Sequence, residues 1–199
     1  AERIWPFYQT LRRHNGSLFM GAFGMDHYWA KAGCDCHTFR YSDFNLGTQL
    51  RHTPDTELFK AEWLTGPKGE LNRRIAHDCD GIVCGLYEYY ASYMAHFDQK
   101  EKLTHIPFPI IIEPHTADDR TPKPIRFFIG IQKNRNIYKG TDIMLRALKR
   151  LKEKYPDKME IVKVESVPYD TYQNLMNSSD VILDQLYSYT PSMNPLLAM

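Results

Sequence analysis

IRFFIGIQKNRNIYKGTDIMLRALKRL, residues 125–151, is the stretch on which the reading of the chain turns. Ile125 to Ile129 is a short apolar run closed by Gly130. A polar loop follows, and Ile143, Met144, Ala147, Leu148 and Leu151 then recur at helical spacing, so the segment reads as strand, loop, helix. The loop carries Lys133, Arg135 and Lys139 and follows the carboxyl end of a strand, where open α/β sheets receive ligands. Basic side chains there point to an anion. Neither G-x-G-x-x-G nor G-x-x-x-x-G-K-[ST] follows the strand, so a dinucleotide fingerprint and a nucleoside-triphosphate loop are both unsupported.

Downstream, Glu160 to Val164 alternates as a strand, Pro168 to Asn177 reads as a short helix, and Ser178-Ser179-Asp180-Val181-Ile182-Leu183 as a second buried strand. A last helix begins near Met193. Upstream, Arg3 to His14 is helical, Ser17 to Phe23 a strand, Asp80 to Leu86 a buried strand, Tyr89 to Phe97 a helix and Lys102 to Ile106 a strand. Leu58 to Asp78 reads as two helices or a kinked pair broken at Thr65-Gly66-Pro67, whereas residues 31–57 show no period and read as a long loop. Glu113 to Pro124, with three prolines among polar residues, is the best linker. The expected domains are 1–113, a linker at 114–124, and 125–199.

Gly130, Lys133, Arg135, Lys139, Gly140 and Asp142, followed by SSDVILDQLYSYTPSMNPLLAM, resemble the C-terminal domain of retaining glycosyltransferases of the GT-B type, in the manner of the group 1 glycosyl transferases. Gly24 and Asp26 match the cleft-facing turn of that family's first domain. The resemblance implies an α/β fold of two Rossmann-like domains, both incomplete here, the chain being a central fragment. It also implies transfer of a sugar from a nucleotide-sugar donor to a glycan or lipid-linked acceptor, without metal or cofactor. Lys133, Arg135 and Lys139 would then hold the donor diphosphate, helped by the N-terminus of the helix at 193–199. Tyr187, Ser188, Tyr189, Thr190 and Ser192 would line the donor side, and Asp26 and His27 are the candidates for the reaction centre. Three positions depart from the family. Phe23 stands where it has His, and Tyr189 and Leu197 stand where it has two glutamates, which neither side chain can replace as acceptors of hydroxyl hydrogen bonds. These losses leave a second reading open, a non-catalytic module that binds a sugar nucleotide or a partner on the same scaffold.

Composition narrows the classes. Of 199 residues, 43% are hydrophobic and 25% charged, and the net charge of +1 argues against a nucleic-acid binder, which must neutralise many phosphates. The longest apolar run, Ile106 to Ile112, is interrupted by Pro107 and Pro109 and falls far short of the roughly 20 residues of a membrane span. A cytoplasmic protein with room for peripheral membrane contact is expected. Cys34, Cys36, Cys79 and Cys84, near His37 and His77, include zinc-ligand types but no C-x-x-C pair, so thiols in a reducing compartment are the expectation.

Overall fold

The computed structural model describes residues 3–110, 124–132, 135–189 and 193–198. It is mixed α/β with parallel sheets and divides into two compact units, Ala1–Pro109 and Ile110–Met199. Apart from Pro124, the expected linker lies outside the described residues. No described helix is long and apolar enough to cross a membrane.

The first unit contains α1 (Ile4–His14), β1 (Phe19–Ala22), α2 (His27–Cys34), the small hairpin β2 (Asn45–Leu46) and β3 (Gln49–Leu50), and α3 (Pro54–Lys60). A π-helical stretch, Ala61–Thr65, continues α3 and is followed by α4 (Pro67–Asp78), β4 (Gly81–Cys84), α5 (Tyr87–His96) and, after a 3-10 turn, β5 (Leu103–His105). Its sheet runs β1-β4-β5, all parallel, with Phe19 opposite Gly81 and Ile82 opposite Leu103. Parallel neighbours require crossovers, which the helices supply. Tyr28, Ala76, Ile82, Tyr93, Phe97 and Leu103 form one core, while the next residue of α2, Trp29, enters a second with Phe39 and Phe44. The Asp80 carboxylate anchors α1 to the sheet, accepting from Arg12 and from the Leu18 amide at 2.8 Å. The guanidinium and that amide hold its pKa down to about 2.

Residues 31–57 differ from the expected loop. Helix α2 takes their first part, α3 their last, and the middle is a compact knot held by side chains. Asn45, fully buried, donates to the carbonyls of Phe39 and Gly47, and its Oδ1 accepts from Ser42 at 2.6 Å. Asp35 accepts from the amides of His37 and Thr38 and pairs with His96 at 2.6 Å. Each buried polar group thus has a partner, which is what allows a polar segment to be interior.

The second unit contains β6 (Ile125–Ile131), the single turn α6 (Asn136–Lys139), α7 (Thr141–Lys154), β7 (Met159–Glu165), α8 (Tyr169–Asn177), β8 (Val181–Leu183) and α9 (Met193–Ala198). The strand order is β7-β6-β8, all parallel, with Ile125 opposite Met159 and Phe127 opposite Val181. Alternation along the strands sorts the side chains between two faces. Phe127, Ile129 and Ile161 pack with Leu148 and Met144 of α7, whereas Phe128, Val162 and Val164 pack with Met176 and Tyr172 of α8. The helices therefore cover opposite faces of the sheet, and a strand covered on both sides reads as a continuous apolar run, as Phe127 to Ile129 does. The chain leaves β6 for β7 on one side and returns to β8 on the other, so the strand order reverses at β6. Ligands of doubly wound sheets bind at the carboxyl ends beside such a reversal.

Candidate functional site

A cleft of about 490 Å³ opens at the carboxyl edge of the second sheet. Gln132 and Lys139 line it from the segment after β6, Ser166 from the end of β7, Tyr172 from α8, Asp184 from the end of β8 and Asn194 from α9. The strand ends bring these groups together. Gly130 lets Tyr172 approach, since a Cβ there would lie 2.7 Å from the Tyr172 hydroxyl oxygen. The Tyr172 ring stands edge-on to Phe128 at 5.0 Å, and its hydroxyl accepts from Asn194 Nδ2 at 3.1 Å. Burial, reinforced by the charge of Asp184, raises the Tyr172 pKa, so the phenol stays protonated and can donate. Ser166 holds φ at 55°, a left-handed conformation uncommon outside glycine and often met at binding sites.

Lys139 ends α6, and Gly140 follows with φ at 74°, capping that turn and opening α7. The Leu186 amide donates to the Lys139 carbonyl at 2.9 Å, which ties the segment after β8 to the lysine. Tyr187 lies against Gly140. The basic loop and the Leu186–Tyr187 segment therefore meet in space, although the groups that face the cleft here are Lys139 and Asp184. Arg135 stands one turn before Lys139, its guanidinium 6.0 Å from the centre of the Tyr138 ring, and is not among the cleft-lining residues. Ser188 is half-buried and Tyr189 exposed, whereas Lys133, Thr190 and Ser192 lie outside the described residues. Of the last helix Met193–Ala198 is described, whereas the residues just before it, where help from its N-terminus was expected, lie outside the described residues. Leu197 packs beside the core cluster of Phe128, Val162 and Met176, which explains an apolar residue at that position.

A second hollow, of about 360 Å³, lies between α8 and α9 and includes Asp180 and Leu197. Asp180 precedes β8, placing this hollow toward the amino end of that strand, the wrong edge for a ligand of such a sheet. Among the described residues no group of three or more His, Cys, Asp or Glu side chains is arranged to hold a metal ion. Comparison with protein-family models, curated proteins and solved structures returns no match.

In the first unit, Asp26 and His27 belong to the local architecture of α2. Asp26 is 8% exposed and caps the helix, accepting from the Trp29 amide and from the Tyr93 hydroxyl, each at 2.8 Å. His27 is 7% exposed, and its Nδ1 lies 2.8 Å from the Trp63 carbonyl oxygen, which can only accept, so Nδ1 carries the proton. Burial lowers its pKa and keeps the ring neutral, the Trp63 carbonyl opposing this only in part. With these contacts, both side chains hold the turn after β1.

Burial raises the Asp26 pKa from 3.8 to about 6, against the lowering effect of its hydrogen bonds. The folded state therefore binds the proton more tightly than the unfolded chain. The contribution to stability is present below pH 3.8 and is lost as the pH rises through about 6, leaving an ionised carboxylate in the core at pH 7. Asp26→Asn keeps an acceptor for Trp29 and should stabilise the protein at pH 7 by about 1–3 kcal/mol, a gain that vanishes toward pH 4. Asp26→Ala removes the cap and the acceptor for Tyr93 and should cost about 2–4 kcal/mol. Urea titrations from pH 4 to 7 check both. Equal losses in the two variants would mean that the charge itself is required.

Proposed function

We propose that this chain binds the nucleotide-sugar of a glycosyltransferase reaction and passes the sugar to a glycan or lipid-linked acceptor, with Lys139 meeting the charge of the leaving diphosphate. One observation carries the reading, the half-buried Lys139 at the carboxyl mouth of a doubly wound parallel sheet, in a cleft that otherwise offers hydroxyl, amide and carboxylate groups. Phosphate oxygens favour charge-assisted donors, and a cation placed where a leaving group gains charge accelerates its departure. Arg135 and Lys133 are secondary candidates from the same loop. The sugar would then lie toward Tyr172, Asp184 and Asn194.

Isothermal titration with nucleoside diphosphates tests the assignment. Lys139→Ala should weaken binding about 10- to 100-fold, the range of one charge-assisted hydrogen bond. Lys149, exposed on α7, is the control and its removal should change affinity less than twofold. Lys152 cannot serve as one, because its ammonium donates to the carbonyls of Pro156 and Met159 and fastens the end of α7. No loss at Lys139 would remove the basis of the proposal. The non-catalytic module remains the second reading, favoured by the structural engagement of Asp26 and His27 and by Leu197 packed against the core. Binding without turnover of nucleotide-sugars would decide for it.

A further inference from the structure

Helix α1 faces the wrong way for a helix of a globular unit, which lays its apolar stripe on the core and shows charge to water. The contacts that fasten it to the rest of the unit come from Trp5, Tyr8 and Arg12. The Arg74 guanidinium stands 3.9 Å from the centre of the Trp5 ring, the Tyr8 hydroxyl donates to Asp78 at 2.7 Å, and Arg12 Nη2 donates to Asp80 at 3.0 Å. Ile4, Phe7 and Leu11 repeat the same spacing one residue earlier, yet they stand in solvent, 52%, 63% and 38% exposed. At about 100° per residue the three lie within about 60° of one another, a single stripe along the helix. Single exposed apolar side chains are ordinary, whereas a stripe of three large ones marks a surface that something covers.

Charge points to what covers it. Helix α1 contains no acidic residue, and Arg3 before it and Arg13 and His14 in its last turn are exposed. By helical position Arg3 and His14 flank the stripe on the side of Phe7. Asp78 and Asp80, the acids that α1 meets, are engaged by Tyr8 and Arg12 on its other side. An apolar stripe beside cations and away from carboxylates is complementary to an anionic bilayer, which offers hydrocarbon below a layer of phosphates. We infer that α1 is a membrane-docking helix, which lays Ile4, Phe7 and Leu11 into the headgroup boundary of an anionic phospholipid bilayer while Arg3 at its start and Arg13 at its end meet the lipid phosphates. Three side chains bury little hydrocarbon, so the attachment is peripheral and reversible. It stands apart from the nucleotide-sugar reading, since α1 and the cleft at Lys139 belong to different units.

The test is co-sedimentation of the whole chain with vesicles of phosphatidylcholine alone and of phosphatidylcholine and phosphatidylglycerol in equal parts, at low and high salt. Wild type should bind the anionic vesicles, bind the neutral ones far less, and lose affinity as salt rises. Phe7→Ser removes the most exposed ring of the stripe and should weaken anionic-vesicle binding about tenfold or more. Replacing Arg3 and Arg13 together by Gln should also cost about tenfold and flatten the salt dependence. Leu58→Ser, at a residue equally exposed but on α3, is the control and should stay within about twofold of wild type. All of these side chains are exposed, and unchanged urea midpoints should show that each variant folds. Equal losses in Phe7→Ser and Leu58→Ser, or none in Phe7→Ser, would overturn the assignment to α1. Binding to neither vesicle would overturn membrane docking altogether. In that case self-association in sedimentation equilibrium, abolished by Phe7→Ser, would give the stripe to a second copy of the chain, and a monomer would give it to another protein.

Discussion

Gly69→Ala should destabilise the first unit by about 3 kcal/mol or more, among the larger losses a single methyl group can cause. Gly69 lies in the first turn of α4, and a Cβ there would sit 1.9 Å from the Trp63 carbonyl oxygen. The obstacle is backbone, so no rotamer change relieves it. That carbonyl belongs to the π-helical stretch and accepts from His27 Nδ1, so moving it also strips the buried imidazole of its partner. Overpacking alone costs about 1–3 kcal/mol, and an unsatisfied buried donor about 1–3 more. All three tryptophans, Trp5, Trp29 and Trp63, lie in the first unit, so their fluorescence during urea unfolding reports on that unit. A drop in midpoint of about 1–2 M is expected. Gly16, with open space where its Cβ would be, is the control and Gly16→Ala should fall within about 0.5 kcal/mol of wild type. If Gly69→Ala matches that control, the Trp63 carbonyl is not held in place.

How much of this was visible in the sequence depends on what stabilises each element. The strands of the second unit were legible because their order comes from burial on two faces, which leaves an apolar run at Phe127–Ile131 and an alternation at Met159–Glu165. The knot within residues 31–57 was not, because Asn45, Ser42 and Asp35 hold it with hydrogen bonds of their side chains. Such residues read as surface by composition, and no period marks them. The π-helical stretch was hidden for another reason. Phe59, Trp63 and Leu64 keep an ordinary helical spacing, so the sequence showed the break at Thr65-Gly66-Pro67 and not the wider turn before it.

The site was legible in half. A basic loop beyond a strand is a local pattern, but local pattern ranks Lys133, Arg135 and Lys139 alike. Only the fold, through the α6 turn and Gly140, sets Lys139 at the cleft while Arg135 lies beside Tyr138. Tyr172, Asp184 and Asn194 come from three separate elements and share no motif. Asp184 alone carried a signal, an acidic residue immediately after an apolar strand, at the edge where ligands gather. Asp26 and His27 carry two readings in the sequence, for the converse reason. Their place after a strand is that of site residues, yet Asp before a helix is also a common way to cap one, and the 2.8 Å bond from the Trp29 amide shows that use.

Gly140→Ala should damage the second unit and the cleft together. The position has φ at 74°, where an L-residue with a Cβ is strained by about 1–2 kcal/mol. A Cβ there would also meet Leu186 Cβ and Tyr187 Cε2, each at 2.8 Å, adding an overpacking cost of about 1–3 kcal/mol. Leu186 can retreat only by giving up its amide bond to the Lys139 carbonyl. The substitution therefore spreads Lys139 away from the segment after β8, and the cleft lining that both supply is disturbed. Hydrogen exchange should show faster exchange at the Leu186 amide, with a total loss of stability of about 2–5 kcal/mol. Gly140→Asn divides the causes, because Asn tolerates a left-handed backbone while bringing the same Cβ. A variant Gly140→Asn as weak as Gly140→Ala assigns the effect to contact with Leu186 and Tyr187; a full recovery assigns it to backbone strain and shows that the segment after β8 can yield without loss.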